Sequence, residues 1–242
     1  MNQILVSEKI YVTPGLKRKK KFYKIQFALS IIVVIALTVS YIYSEYDKKK
    51  GESTSKDILA SFASNNTDTT DTEQDTVVVS LNDSVEEITE TTQEPQVLDE
   101  FNNVYKTDSG VEYRVDSILN IPSLEINYPV LSDSSDELLK ISLNKFWGGD
   151  ANSVGNYCIV GHNYDGKDIF FGKLYRIQNG DIVELQDNTG KVLQYKVYNK
   201  FIVEPTDVAC TSQLTNGKKE MTLITCSDGG KTRLVVKCRA IE

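Results

Sequence analysis

The residues with the clearest catalytic potential lie near the end of the 242-residue chain. Residues 222–226 read Thr-Leu-Ile-Thr-Cys and predict a strand that ends in a thiol, and after a polar turn a second apolar strand begins at Arg233. An antiparallel hairpin would place Cys226 and Arg233 opposite each other, with Cβ atoms about 4.5–5.5 Å apart on one face. A neighbouring cation favours the thiolate and can stabilise an oxyanion. On this hairpin alone, a buried structural cysteine beside a surface arginine remains the alternative.

The only histidine of the chain, His162, follows a second predicted strand. Residues 157–163 read Tyr-Cys-Ile-Val-Gly-His-Asn, so this strand runs into Gly161 and then into the imidazole. A lone histidine near a strand end is usually structural, but any cysteine–histidine chemistry in this chain has only this partner. A nucleophile with a base is the minimum for acyl transfer, and an arginine supplies positive charge where the tetrahedral intermediate develops negative charge. The sequence therefore predicts an acyl-transfer site.

Composition and missing motifs argue against several other functions. One histidine and no Cys-x-x-Cys pair make a zinc site built from protein ligands improbable, so no metal and no cofactor are expected. The phosphate-binding loop, the dinucleotide-binding glycine motif and the serine-hydrolase elbow do not occur in the sequence. The net charge is −7, but the first 24 residues carry +6 and the remainder is strongly acidic. An acidic body argues against a nucleic-acid partner.

An uncharged, mostly apolar run at residues 25–44 predicts a transmembrane anchor. A helix of that length spans roughly 30 Å, the thickness of the hydrocarbon core of a bilayer. A cleaved signal peptide is the alternative, but the run is long and the residues at its end are bulky. The basic block at residues 17–21 predicts a cytoplasmic tail at residues 1–24, a single membrane pass and an extracellular body.

The rest of the chain divides into a linker and one domain. Residues 51–108 contain 14 acidic and 2 basic side chains and few aromatics, so residues 45–108 are predicted to form a disordered or weakly helical acidic linker. Residues 109–242 alternate between apolar and polar over many short runs. Short helices are expected near residues 135–143 and 167–174. Many short strands and few helices predict a small closed or nearly closed β-barrel.

The motif at residues 222–226 with Arg233 downstream, and Val160-Gly161-His162 upstream, resembles that of the sortases, the membrane-anchored cysteine transpeptidases of Gram-positive bacteria. The N-terminal anchor matches this family independently. The resemblance implies an all-β fold with short helices: a closed, eight-stranded sortase-type β-barrel preceded by a transmembrane helix and a disordered linker. The similarity covers roughly residues 115–240 and includes Ile121-Pro122-Ser123-Leu124 and Asn127-Tyr128-Pro129-Val130.

The resemblance also implies a reaction. Cys226 would attack the Thr–Gly bond of an LPXTG-like sorting signal on a surface protein, and an amine of a peptidoglycan precursor such as lipid II would resolve the thioacyl enzyme. His162 would be the acid and base, Arg233 would bind the substrate backbone or the oxyanion, and Thr225 would line the oxyanion region. Sortases carry a substrate-selecting loop at the position of residues 204–220, where the contact candidates are Ala209, Thr211, Ser212 and Leu214.

Several alternatives stay open. A cysteine hydrolase would use the same residues but transfer the acyl group to water, and a non-catalytic wall-binding module would not need them. Arg239 is a second candidate for the arginine, because the turn between Cys226 and Arg233 is tighter than in several sortase classes. The sortase class and any calcium dependence are left open by the resemblance. The remaining cysteines are read as buried thiols or, outside the cell, as partners in a disulfide: Cys158, Cys210 and Cys238.

Overall fold

A computed structural model describes residues 14–65, 103–164 and 167–241 of the chain. Residues 1–13 of the predicted cytoplasmic tail and residues 66–102 of the predicted linker lie outside these ranges. The chain divides into two compact units, Met1–Lys48 and Lys49–Glu242. The first unit contains the apolar run, and the second contains the β-barrel.

One long helix, α1, runs from Pro14 to Asn65. An 18-residue window within it has a mean hydropathy of 2.3, and none of that window is covered by other parts of the protein. Apolar side chains such as Phe27, Leu37 and Ile42 are exposed on it. By length and composition this helix can cross a membrane, in agreement with the predicted anchor. Its orientation and the single pass stay predictions.

The helix does not end with the apolar run. Residues 45–65, which we expected to belong to a disordered or weakly helical linker, continue α1 to Asn65. Within the second unit, Ile58 and Phe62 are only 4% exposed and pack with Tyr113 of β2, Val115 of β3 and Leu138 of the turn between β4 and β5. Residues four positions apart share one face of a helix, so this pair forms a docking surface despite the polar composition around it. The structure therefore differs from the predicted linker over residues 45–65.

The described residues after α1 contain ten strands. Two short strands, β1 and β2, form a hairpin of their own, and the other eight close into a barrel in the order β10-β8-β7-β3-β4-β5-β6-β9. This confirms the predicted closed, eight-stranded architecture. The strands are β1 (Tyr105–Lys106), β2 (Glu112–Tyr113), β3 (Val115–Ile121), β4 (Ile126–Leu131), β5 (Leu143–Trp147), β6 (Gly155–Val160), β7 (Ile182–Asp187), β8 (Val192–Val203), β9 (Lys219–Ser227) and β10 (Thr232–Ala240).

Alternate residues along the barrel strands fill the core. Leu119, Ile159, Leu223 and Val236 come from four strands and are fully buried in one cluster. Because successive side chains of a strand point to opposite faces, the residues between them lie on the outer face of the barrel. This alternation is what fixes which side chains of β6, β9 and β10 share the outer face.

The predicted helices are shorter than expected. The first is a single 3-10 turn at Leu138–Lys140, where the Ser135 hydroxyl accepts a hydrogen bond from the Leu138 N–H at 3.2 Å. The expected helix includes Leu143, but this residue begins β5, a strand that the sequence analysis did not predict. A longer helix therefore does not fit between β4 and β5. The second is a 3-10 turn at Leu174–Arg176, because the left-handed backbone of Phe170 (φ 49°) interrupts a helix before it.

Strands β6 and β9 lie side by side and run parallel, with Cys158 paired with Thr222 and Val160 paired with Ile224. Strand β10 lies antiparallel on the other side of β9. The carboxyl ends of β6 and β9 therefore meet at the same end of the barrel, beside the first residues of β10.

Candidate active site

Cys226 and Arg233 lie directly opposite each other on β9 and β10, as the hairpin predicts. The carbonyl of Ile224 faces β6, since it accepts a hydrogen bond from the Gly161 N–H at 3.2 Å. Backbone groups alternate in direction along a strand, so those of Cys226 also face β6 and not β10. Cys226 and Arg233 are therefore a non-hydrogen-bonded pair, in which the Cα atoms approach to about 4.5 Å and the side chains lie close together.

His162 lies on the other side of Cys226. Strand β6 ends at Val160, which is paired with Ile224. Two further residues in the same register would bring His162 alongside Cys226. Contacts with β9 flank His162 on both sides, because the Gly161 N–H donates to the Ile224 carbonyl at 3.2 Å and Asn163 Nδ2 donates to the Cys226 carbonyl at 3.0 Å. These contacts hold His162 at the end of β9 that carries Cys226, opposite Arg233, and we call His162, Cys226 and Arg233 the catalytic row.

The environment of His162 favours a neutral imidazole. The side chain is half-buried, and its ring lies against that of Tyr164 with the centroids 5.2 Å apart. Burial lowers the pKa of His162 below its ordinary value, while the Asp136 carboxylate opposes this shift and Lys140 adds to it. At neutral pH the imidazole is therefore mainly in the form that can accept a proton.

The guanidinium of Arg233 is held by the turn between β9 and β10. Its Nη1 donates to the carbonyls of Gly230 at 2.9 Å and Thr232 at 3.0 Å. No salt bridge joins it to any carboxylate within residues 14–65, 103–164 and 167–241. Arg239, the alternative candidate, pairs with Glu220 at 2.8 Å at the far end of β9. Of the two arginines, Arg233 is the one next to Cys226.

Thr225 faces the opposite side of the sheet from Cys226. Its hydroxyl is buried and donates to the Gly161 carbonyl at 2.7 Å. The side chain thus joins the ends of β9 and β6 on the inner face. This placement differs from our expectation that it lines the oxyanion region.

The predicted contact residues of the substrate-selecting loop lie over the outer face. Ala209–Thr211 forms a 3-10 turn, and Leu214 is 91% exposed. The segment is fixed to β6 by Asn156, whose Nδ2 donates to the carbonyls of Cys210 at 3.0 Å and Ser212 at 3.1 Å. Thr222, below this segment, is four residues before Cys226, which is about 13 Å along a strand. These residues are therefore on the face of the catalytic row but not adjacent to it.

The four cysteines are all free thiols. Cys158 and Cys238 are fully buried, whereas Cys210 and Cys226 are partly exposed. Burial raises the pKa of Cys158 to about 12 and also raises the pKa of Cys210 and Cys238. These three thiols are poor nucleophiles, so Cys226 is the thiol that the geometry favours for catalysis.

Two asparagines at the site were not singled out from the sequence. Asn163 follows the predicted base directly and bonds the backbone of Cys226, so its position beside His162 was a usable signal. Asn156 organises the loop through its contacts with Cys210 and Ser212, but no sequence pattern indicates this role. In the described parts of the chain, no group of three or more His, Cys, Asp or Glu side chains could hold a metal ion.

Comparisons with known proteins agree with the geometry. A profile of the family described as Sortase domain matches residues 119–241. Sortase A of Bacillus anthracis is 31% identical over 108 residues, which cover 45% of this chain and 50% of that protein. The putative sortase YwpE of Bacillus subtilis is 38% identical over 90 residues, which cover 36% of this chain and 85% of that protein.

Among solved structures, sortase A from Corynebacterium diphtheriae superposes with a TM-score of 0.50 at 21% identity, covering 60% of this chain and 75% of that chain. At this identity the likeness concerns the fold alone. The match spans only about half the length of the Bacillus anthracis relative. The match to the Sortase domain covers half of the chain, and on this basis the chain belongs to the sortase family.

Proposed function

We propose that this chain is a cysteine transpeptidase that cleaves an LPXTG-like sorting signal between Thr and Gly and transfers the surface protein to an amine. The observation that supports this proposal is the pairing of Cys226 with Arg233, together with the contacts of Gly161 and Asn163 that hold the chain on both sides of His162 against β9. Membership of the sortase family supports acyl transfer in general. The sorting signal and the acceptor, an amine of a peptidoglycan precursor such as lipid II, belong to the proposal.

Each member of the catalytic row has a role in this reaction. The Cys226 thiolate attacks the Thr carbonyl, and the negative charge that develops on the oxygen is stabilised by the Arg233 guanidinium beside it. His162, which is neutral at rest, accepts the proton of the Cys226 thiol as the thiolate forms, and the imidazolium then gives that proton to the leaving amine of Gly as the C–N bond breaks. The same imidazole, now neutral, accepts the proton of the incoming amine when that amine attacks the thioester. The cycle balances because His162 passes the proton of Cys226 to the leaving amine in the first half-reaction, and passes the proton of the incoming amine back to the released sulfur in the second.

The position of the loop supports an extended peptide as the substrate. Four residues of β9 separate Thr222, below the loop, from Cys226, or about 13 Å. An extended tetrapeptide has nearly the same length. A Leu-Pro-X-Thr segment that ends at Cys226 would therefore reach Ala209, Thr211, Ser212 and Leu214 with its first residues.

The apolar helix supports a location at the cell membrane. In the proposed topology the N-terminus is cytoplasmic and the barrel is extracellular, where both the surface proteins and the peptidoglycan precursor are accessible. This topology rests on the basic residues before the apolar run.

The test uses the full chain in detergent micelles, a library of LPXTG-like peptides and a set of amines, with products identified by mass. We expect an amide product, its loss in Cys226→Ala, and a fall in kcat in Arg233→Lys but not in the matched control Arg239→Lys. Release of free acid alone would favour a hydrolase. Retention of product formation by Cys226→Ala would refute the proposal and favour a binding module.

A further inference from the structure

Asn163 makes contacts at the site that the roles proposed for His162, Cys226 and Arg233 do not explain. In a parallel ladder, the N–H of one strand bonds the carbonyl of the next strand at every second residue. The Gly161 N–H makes such a bond with the Ile224 carbonyl at 3.2 Å. The next bond of the ladder would join the Asn163 N–H to the Cys226 carbonyl. Instead, the Asn163 side chain makes it, through Nδ2 at 3.0 Å.

This substitution allows the chain to leave the sheet at His162 and still stay attached to it. Beyond β6 the backbone turns towards the segment around Phe170, with which Asn163 forms an isolated bridge. The His162 carbonyl accepts a hydrogen bond from the Phe171 N–H at 3.1 Å. His162 is therefore held by backbone contacts before it and by the Asn163 side chain after it.

The other end of the amide indicates that the bond to Cys226 matters. Asn163 Oδ1 is buried and has no hydrogen-bond partner within residues 14–65, 103–164 and 167–241. An unpaired buried acceptor is costly and calls for an explanation. Rotating the amide would place this oxygen against the Cys226 carbonyl, so that two acceptors would face each other. In the structure the amide nitrogen of Asn163 faces Cys226 and bonds its carbonyl, and the amide oxygen is left unpaired among the described residues.

We infer that Asn163 is a positioning residue that holds the backbone of the nucleophile in register with the base. It acts through Cys226 and His162 and does not touch the substrate. This inference rests on the proposed function for its kinetic consequence, but the position of the thiol can be measured without any substrate.

The experiment uses the full chain in detergent micelles with Asn163→Ala, Asn163→Asp, Asn163→Gln and the control Asn127→Ala. Asp has the size of Asn but replaces the donor with an acceptor, whereas Gln keeps the donor on a longer stem. Asn127 is exposed on β4 and lies outside the catalytic row. The first measurement is the rate of alkylation of Cys226 by iodoacetamide across pH, resolved from the other thiols by peptide mass. The second is kcat and KM for a sorting-signal peptide.

We expect Asn163→Ala and Asn163→Asp to slow the alkylation of Cys226 and to lower kcat at least tenfold with KM within twofold. Misplacement of a reacting group by about 1 Å can cost two orders of magnitude in rate. Asn163→Gln should recover part of the loss, and Asn127→Ala should behave as the wild type. If Asn163→Ala fails to fold, the isosteric Asn163→Asp decides.

The inference is overturned if Asn163→Asp retains the wild-type alkylation profile and kcat, or if it equals Asn163→Gln in both. Failure of the proposed function is a separate outcome. In that case the wild-type chain forms no amide product, while the alkylation profiles still report whether Asn163 positions the thiol.

Discussion

The junction between β6 and His162 is packed so closely that it tolerates no side chain at Gly161. A Cβ atom added there would lie 2.5 Å from Leu143 Cδ2 and 2.7 Å from Phe171 Cδ2, and both partners are fully buried. We therefore predict that Gly161→Ala destabilises the barrel. Overpacking of this kind costs about 1–3 kcal/mol. For a domain of this size that is a fall in Tm of about 2–12 °C.

The same substitution should reduce activity, because the methyl group must displace the strand end that carries His162. We expect kcat for the sorting-signal peptide to fall more than KM changes. The matched control is Gly149→Ala, where the nearest atom to an added Cβ is the flexible Ser153 hydroxyl at 3.3 Å. This control should stay within about 0.5 kcal/mol of the wild type.

A double-mutant cycle with Leu143→Ala isolates the cause. The single Leu143→Ala substitution should cost about 2–5 kcal/mol, since it leaves a cavity. In the double variant the methyl group at residue 161 enters part of that space. The loss of unfolding free energy in the double variant should therefore be smaller than the sum of the losses in the two single variants, by at least about 0.5 kcal/mol. Urea unfolding of the full chain in micelles measures all four proteins. Additive costs, or a Gly161→Ala protein as stable as the wild type, would refute the steric argument.

Three further predictions concern the charges and contacts around the barrel. In Asp136→Asn, the pKa of His162 should fall further, because the variant loses a carboxylate that raises this pKa. NMR titration of the single histidine measures the shift, and an unchanged titration would contradict the prediction. Gly51→Ala should lower the Tm by several degrees, because the added Cβ would lie 1.7 Å from the Lys140 carbonyl oxygen, and a stable variant would show that α1 does not dock there. Burial raises the pKa of Asp187, but hydrogen bonds from its neighbours outweigh burial and hold that pKa below its ordinary value. The Asp187 carboxylate therefore stabilises the folded protein above the unfolded-state pKa, and this contribution is lost as pH falls through the folded-state pKa. Asp187→Asn should destabilise the protein at pH 7 but not in acid. Urea unfolding at both pH values tests this.

The local part of the site could be predicted from the sequence, because a short turn determines its own register. Six residues separate Cys226 from Arg233, and a tight hairpin leaves few ways to pair them. The strands of the barrel were also visible as alternating apolar residues. By contrast, β5 is short, and its exposed Phe146 and Trp147 break the alternation, so no pattern indicated a strand there.

The placement of His162 beside Cys226 depends on a contact between strands far apart in sequence. The parallel pairing of β6 with β9 is set by the closure of the whole barrel, which local patterns do not encode. The assignment of His162 as the partner of Cys226 stays a prediction, and it rests on the fact that the sequence contains a single histidine. The sequence analysis allowed only weak helicity after the membrane span for a related reason, since the burial of Ile58 and Phe62 depends on residues far away in the sequence, such as Tyr113 and Leu138.

The tight turn between β9 and β10 explains how one arginine keeps its charge available to the site. Asp228, Gly229 and Gly230 all have left-handed backbones, with φ of 49°, 60° and 90°. This conformation closes the turn in few residues and leaves the carbonyl of Gly230 within reach of Arg233 Nη1. A carboxylate in the same place would orient the guanidinium equally well but would neutralise its charge. Because the partners are neutral carbonyls, the guanidinium is held in direction and its charge is not neutralised, as the proposed stabilisation of an oxyanion beside Cys226 requires.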